Sequence, residues 1–365
     1  MTAFIFLGTG MKALQKILLV LTLIWVFMFS ISLMSHSLKM MGGGFARALL
    51  SSTANPFMGL FIGILATSLM QSSSCTTSIV VGMVAASTLP VRHAIPIVMG
   101  ANIGTTVTNT VVSLGHITRR QEFDRAFAGA IVHDIFNLLA VAVLFPIEIH
   151  FHFLERFSLT LARGFAGVGG LVLVNPLNIS VKPLVRVTEE LIVHPPIILA
   201  LAVFLLFLAL AYIVKTARGL ALPKIEALLD DYLFTTPLRA FVLGTLFTAM
   251  IQSSSITTSL VVPLVGAGLL SIEKIFPYTL GANLGTTVTA ILASLVTRNP
   301  VAIQTAFTHL LFNACGVCII YPVKRIPIGL AKGLGRRCSH SRKYAILWVV
   351  LAFYAIPLLL IMIVR

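Results

Sequence analysis

Seven polar side chains crowd into a stretch of chain that carries no charge. Gln71-Ser72-Ser73-Ser74-Cys75-Thr76-Thr77-Ser78 lies inside Ala48–Val91, a run without a single Asp, Glu, Lys or Arg. In an apolar surrounding every such group must find a partner or cost free energy. Successive residues on a helix point about 100° apart, so no one face can hold Gln-Ser-Ser-Ser. The backbone is therefore expected to break there and to turn a hairpin at membrane depth. A helix restarting after such a break offers free N–H groups and the positive end of its dipole, which suits an anion. Hydroxyls and freed carbonyls are hard oxygen ligands, which suit a small cation. Nearby Asp134 sits within the apolar run Ala126–Ile147 beside His133. A carboxylate in that position is a candidate cation ligand by default, and its structural alternative is a pairing with His133, Arg125 or a backbone donor.

The same cluster occurs twice. Gln71–Ser78 recurs as Gln252–Ser259, and Gly100-Ala101-Asn102-Ile103-Gly104-Thr105-Thr106-Val107-Thr108 recurs as Gly281–Thr289 at the same offset. A third pair, His133-x-x-Phe136-Asn137 and His309-x-x-Phe312-Asn313, follows at a slightly smaller offset. The charged loop Thr118–Arg125, shortened in the second copy, absorbs the difference. Corresponding interruptions in two halves are the signature of a transporter built from repeats. The second motif contributes an amide, two hydroxyls and a glycine expected to turn the backbone sharply. It lacks the Lys and the spacing of a P-loop. His133 and His309 read as interhelical hydrogen-bonders rather than proton carriers. Where the first copy has Asp134 the second has Leu310, so the halves differ by one charge.

The elements that must position these groups follow from composition. Of 365 residues, 58% are hydrophobic and 10% charged, and mean hydropathy is +1.02. Soluble domains carry about a quarter charged residues, so a soluble fold, disorder and a coiled coil are excluded. The chain reads as an all-α polytopic membrane protein with room for about eight to twelve segments of roughly 20 residues. The expected organisation is an N-terminal span and loop at 1–47, a first repeat at 48–157, and a connection with interfacial and spanning helices at 158–235. A second repeat at 236–323 precedes a basic segment and C-terminal span at 324–365. Ser158–Val174 and Leu220–Phe234 read as amphipathic, partly embedded helices.

The net charge of +15 sits at segment ends, as at Lys12 and Lys16, Arg119 and Arg120, and Arg336–Lys343. This is the usual retention of basic residues on the cytoplasmic side; a nucleic-acid partner is not implied. Positive-inside reasoning places the N-terminus in the cytoplasm, and the expected location is the cell's inner (plasma) membrane. Cys315 and Cys318 are three apart on an expected helix and, with Cys75, read as small apolar residues rather than a redox or metal pair. No Arg or Lys lies within Ala48–Val91 or Ala240–Ile272. A bound anion must then be balanced by dipoles, hydroxyls and a co-bound cation, which couples the two ions. The residues thus point to a sodium-coupled carrier of a small anion.

The paired Gln-Ser-Ser-Ser motifs, each followed by Gly-Ala-Asn-x-Gly-Thr, resemble the type II sodium–phosphate cotransporters. Arg125–Asp134 and His309–Pro322 resemble that family too, and the likeness covers most of Asn55–Pro146 and Thr236–Ile356. It implies two inverted repeats, each with a re-entrant, broken-helix hairpin, and a sodium/phosphate symporter working by alternating access. Carried over by resemblance, phosphate contacts fall on Ser72, Ser73, Ser74, Asn102, Thr105, Ser253, Ser254, Ser255, Asn283 and Thr286. Sodium ligands fall on Gln71, Asp134, Gln252, Thr257 and Thr258. The resemblance implies electrogenic transport, because Ala128-x-Ala130-x-x-x-Asp134 is similar to the electrogenic members. It also implies Na+ as co-transported ion, with no organic cofactor, and inorganic phosphate and the lipid bilayer as partners. The animal members' long disulfide-closed loop has no counterpart, which points to a compact, bacterial-type form.

Three other readings compete: a sodium-coupled carrier of another small anion, an ion channel, and a membrane enzyme. A channel would not concentrate solute. An enzyme needs acid and base groups, and only Asp134 and His133 stand at membrane depth in the repeats; the chain is read as no enzyme.

Overall fold

Prolines and caps start the helices of this protein, and polar breaks stop them. The computed structural model describes the backbone of residues 2–167, 175–228 and 234–364. Within these, all regular structure is helical. The N-terminal part comprises α1 (Thr2–Met40) and α2 (Gly42–Thr53). The first repeat region follows with α3 (Pro56–Met70), α4 (Ser73–Ala85), α5 (Val91–Gly104), α6 (Val107–Ser113) and the long α7 (Arg120–Phe151). Next come α8 (Phe153–Gly167), α9 (Asn175–Leu191) and α10 (Pro195–Leu228). The second region contains α11 (Pro237–Ile251), α12 (Ser254–Ser259), α13 (Val262–Gly266), α14 (Ile272–Thr297) and α15 (Pro300–Ile320). The chain closes with α16 (Arg325–His340), α17 (Lys343–Val350), a π turn at Leu351–Ala355 and α18 (Ile356–Val364). Of the two segments expected to be amphipathic, residues 168–174 and 229–233 lie outside the described residues; the remainder belongs to α8 and to the end of α10.

Among the described residues, seven helical stretches are long and apolar enough to cross a membrane: Leu18–Met40, Val91–His116, Arg120–Phe151, Pro195–Ile213, Ile272–Thr297, Pro300–Ile320 and Lys343–Ile363. That is fewer than the eight to twelve expected from length. The difference lies in apolar sequence spent on shorter helices, Pro56–Met70, Ser73–Ala85, Pro237–Ile251 and Ser254–Gly266.

Local chemistry explains the starts. α3, α11 and α15 each begin with Pro at the first position, where its missing N–H costs nothing. Each is preceded by a side-chain cap: Asn55 Oδ1 accepts from Phe57 N at 2.9 Å, Thr236 Oγ1 from Arg239 N at 3.3 Å, and Asn299 Oδ1 from Val301 N at 2.9 Å. One such cap is worth about 1 kcal/mol.

Glycines let the helices of each repeat touch backbone to backbone. A Cβ at Gly63 would strike the Ile97 carbonyl oxygen, and one at Gly100 the Leu60 carbonyl oxygen, so α3 and α5 are clamped together. The equivalent Gly244 and Gly281 do the same for α11 and α14, against Tyr278 and Phe241. Gly104 and Gly285, expected to turn the chain, instead sit on helical backbone, Gly285 in mid-α14, and serve the same close approach. The expectation of a sharp turn there is corrected: a missing Cβ is used here for helix packing.

Around these clamps lie three main apolar clusters. One joins α1 to α10 and α4 through Phe27, Ile31, Leu206 and Cys75. A second gathers α3, α4, α5 and α7 around Met99 and Leu144. The third packs Phe123, Phe127 and Phe136 of α7 on Phe276 of α14 and on α16. The four cysteines are free, with Cys75 and Cys338 buried, Cys315 half-buried and Cys318 exposed.

Candidate functional site

Both Gln-Ser-Ser-Ser motifs break their helices in the same way. α3 stops at Gln71, which takes the left-handed conformation at φ 53° and ψ 28°; Ser72 is extended, and α4 starts at Ser73. α11 stops at Gln252 with φ 62° and ψ 23°, Ser253 is extended, and α12 starts at Ser254. A glutamine in this backbone region costs about 1–3 kcal/mol, which persists where surroundings enforce it and points to a functional site. Each second residue of the motif caps the next helix. Ser72 Oγ accepts from Cys75 N at 3.2 Å and Ser253 Oγ from Ile256 N at 3.4 Å.

The next serine in each motif is the informative one. Ser73 and Ser254 are buried, yet neither hydroxyl makes a hydrogen bond among the described residues. The serines after them reach across. Ser74 Oγ donates to the Gln252 carbonyl at 3.0 Å and lies 3.4 Å from Thr289 Oγ1, which itself donates to Gln252 Oε1 at 2.6 Å. Ser255 Oγ donates to the Thr105 carbonyl at 3.1 Å. That carbonyl is available because Asn109 N–H turns to Thr106 O, interrupting the helix between α5 and α6. Each motif is thus tied to a backbone break of the opposite region.

The other expected ligands divide into two groups. Thr257 and Thr258 stand one turn into α12, with hydroxyls donating to Ser253 O at 2.9 Å and Ser254 O at 2.7 Å. Thr258 Oγ1 also accepts from Asn109 Nδ2 at 2.8 Å. Gln71 is exposed, and its side chain makes no hydrogen bond among the described residues. The Asn102, Thr105, Asn283 and Thr286 side chains are not drawn to the serines. Thr105 and Thr286 turn back on Ala101 O and Ala282 O. Asn102 donates to Val98 O.

Asn283 belongs to a buried crossing of the two regions. Its Oδ1 meets His133 Nε2 at 2.8 Å and its Nδ2 donates to Asn137 Oδ1 at 2.7 Å. Asn137 Nδ2 in turn donates to Asn102 O at 2.7 Å. The reciprocal partners are looser: His309 Nε2 lies 3.4 Å from Asn102 Oδ1, and Asn313 Nδ2 donates to Asn283 O at 3.2 Å. Both histidines therefore hydrogen-bond between helices, in line with expectation.

Asp134 is 1% exposed. It pairs with neither His133 nor Arg125: His133 faces Asn283, and Arg125 gives both Nε and Nη2 to Gly266 O. Its Oδ2 accepts from Thr110 Oγ1 at 3.1 Å and from Trp348 Nε1 at 3.0 Å, while Oδ1 is buried with no partner. A buried carboxylate held by two neutral donors, with one oxygen free, can complete the coordination of a cation. Thr110 is the neighbour of Asn109, so the carboxylate stands one residue along α6 from the partner of Thr258.

Four participants escaped the sequence reading: Asn109, Thr110, Thr289 and Trp348. The first two continue the polar run that begins at Thr105, a density visible in the sequence. Thr289 ends the repeated nine-residue motif. Trp348 stands in the last apolar stretch, outside both repeats, and no spacing rule points to it.

Comparison with known proteins adds a family match. The family described as Na+/Pi-cotransporter matches residues 26–173 and 205–336. The chain is similar to sodium-dependent phosphate transport protein 2B of Homo sapiens, with 32% identity over 95% of this chain and 65% of the relative. Its similarity to sodium-dependent phosphate transport protein 2A of Ovis aries is 34% identity over 94% of this chain and 67% of the relative. The chain thus spans about two thirds of the length of these curated relatives. No solved structure matches it.

Proposed function

The chain belongs to the Na+/Pi-cotransporter family, and from that premise we propose that it is a sodium-coupled symporter of inorganic phosphate in a plasma membrane. Phosphate binds between the two Gln-Ser-Ser-Ser breaks, which act as the tips of re-entrant hairpins in inverted repeats. The observation that carries this reading is the pair Ser73 and Ser254: equivalent, buried, at the restart of a helix, with hydroxyls that no described protein group engages. Two such hydroxyls, the N–H groups of α4 and the freed backbone around them suit a tetrahedral oxyanion. Ser72, Ser74, Ser253 and Ser255 shape the breaks and link them. Asn102, Thr105, Asn283 and Thr286 line the same arms and support them through their helices.

Sodium occupies oxygen-rich positions beside this anion. Gln71 and Gln252 at the breaks and Thr257 and Thr258 on α12 provide neutral oxygens, and Asp134 provides the fixed charge. The orphaned Oδ1 of Asp134 supports its role as a ligand. A carboxylate neutralises one bound sodium, so a further sodium can travel with each phosphate and net positive charge moves inward. Each such charge is driven by about 2.3 kcal/mol per 100 mV. Access alternates as one half rocks against the other about the histidine–asparagine crossing, with the cytoplasm on the side of the N-terminus.

The test is labelled-phosphate uptake into proteoliposomes under an inward sodium gradient, against equal potassium, at clamped potential. The expected result is concentrative uptake with sodium alone, increased by an inside-negative potential. Uptake indifferent to the cation, or equilibration without accumulation, overturns symport; sodium-driven uptake of sulfate in preference to phosphate overturns the substrate.

A further inference from the structure

The basic helix α16 and the final span enclose a groove that the transport reading does not use. It has a volume of about 870 Å³, and its two ends differ in chemistry. At one end stand Arg336 and Arg337, both exposed and neither in an ion pair among the described residues. Lys332, one turn before Arg336 on α16, is already paired with Glu273. Along the wall run Leu347, Leu351 and Ile356, which are 47%, 37% and 47% exposed. They belong to the span Lys343–Ile363, of which only 11% is buried inside the protein, so that wall faces lipid. The deep side is formed by Trp348, whose indole N–H holds Asp134.

We propose that this groove is a binding site for one anionic phospholipid. The headgroup phosphate lies against the guanidiniums of Arg336 and Arg337, and an acyl chain lies along Leu347, Leu351 and Ile356. Charge complementarity selects this occupant. A groove that is cationic at one end and apolar along its length matches a molecule with an anion at one end and a hydrocarbon chain behind it. A free inorganic anion satisfies only the first part, and a zwitterionic lipid brings its own cation to the arginines. Arginine suits the contact because its planar fork bonds phosphate oxygens bidentately. Basic pockets between membrane helices and amphipathic helices rich in Lys and Arg meet anionic headgroups by this physics.

Trp348 also makes the site measurable. The chain has two tryptophans; the other, Trp25, stacks on Phe29 in α1 and is removed by Trp25→Phe. The full-length W25F protein is reconstituted into phosphatidylcholine vesicles containing increasing fractions of either brominated phosphatidylglycerol or brominated phosphatidylcholine. Quenching of Trp348 fluorescence is read. The expected result is half-maximal quenching at a several-fold lower fraction of the anionic lipid, with the preference lost in W25F carrying R336A and R337A. Circular dichroism and monodisperse elution of each variant confirm that folded protein is compared. Equal quenching by the two lipids, or a preference that survives removal of both arginines, overturns the proposal. Inorganic phosphate at millimolar concentration is expected to leave the quenching unchanged; its relief by phosphate would assign the groove to a free anion and overturn the lipid. The readout requires no transport, so it stands or falls separately from the symporter reading.

Discussion

The two halves share their breaks but not what surrounds them. In the first, α4 runs without interruption from Ser73 to Ala85, while the facing helix is cut between Gly104 and Val107. In the second the arrangement is exchanged: α12 stops after six residues, and α14 continues for 26. Single residues account for this. Pro263 occupies the place of Gly82, and a proline removes a helical N–H and crowds the preceding turn. Asn109 occupies the place of Ala290, and its side chain is spent on Thr258. The charge pattern differs as well, with Asp134 opposite Leu310. Repetition gives both halves the same polar helix break, and the departures from it, Asp134 against Leu310 above all, make the halves unequal in charge.

Breaking what the halves share gives the largest expected effect. Ser73→Leu and Ser254→Leu each place an isobutyl group where the proposed phosphate site has a hydroxyl, and each should lower sodium-driven phosphate uptake at least about 100-fold, a loss of about 2.7 kcal/mol in transition-state terms. Uptake assays at matched protein levels check this. Equal losses make both breaks part of one site; near-normal uptake in either variant removes that half from it.

Breaking what they do not share comes next. Asp134→Gly makes the first half resemble the second in charge. It should abolish the phosphate-dependent current while leaving measurable sodium-driven uptake, read by electrophysiology beside isotope flux on the same preparation. A current that persists would remove Asp134 from the sodium site.

A smaller effect separates the two glutamines. Gln252→Ala removes the acceptor of the Thr289 hydrogen bond at 2.6 Å and loosens the link to Ser74. Gln71→Ala removes an exposed side chain without such a bond. The expected cost in thermal or denaturant stability is about 1–2 kcal/mol for Gln252 and within about 0.5 kcal/mol for Gln71. Equal costs would mean that the Gln252–Thr289 bond within the second half contributes nothing of its own.

Much of this frame was legible before any coordinates. The helix breaks follow from four successive polar residues in an apolar run, because the α-helix cannot turn all of them to one partner. The histidine contacts follow from two imidazoles in apolar sequence, which must find polar partners on neighbouring helices. What stayed hidden depends on which helix lies beside which. The glycines of Gly-Ala-Asn-x-Gly look like turn residues until α3 and α11 are seen pressed against them. The diversion of Asn283 away from the serines depends on His133 and Asn137, and that of Asn102 on Val98 O and His309, contacts that follow from which helices lie side by side.

Trp348 is the extreme case of that concealment, and it sets the smallest predicted effect on transport. It lies in the C-terminal span, which has no counterpart in either repeat, yet its N–H at 3.0 Å is one of two donors on Asp134 Oδ2. Thr110 is the other donor to that oxygen, so removing the indole loosens the carboxylate and, in its proposed sodium role, costs part of its alignment with the cation. Trp348→Phe keeps an aromatic ring in place and deletes the donor. The half-saturating sodium concentration should rise about three- to ten-fold, equivalent to roughly 0.7–1.4 kcal/mol, with the coupled current retained because Asp134 is still there. This separates holding the charge from having it: Asp134→Gly removes the current, and Trp348→Phe shifts the sodium dependence alone. An unchanged sodium dependence would show that Thr110 is sufficient, and that the asymmetry between the halves is carried entirely within the repeats.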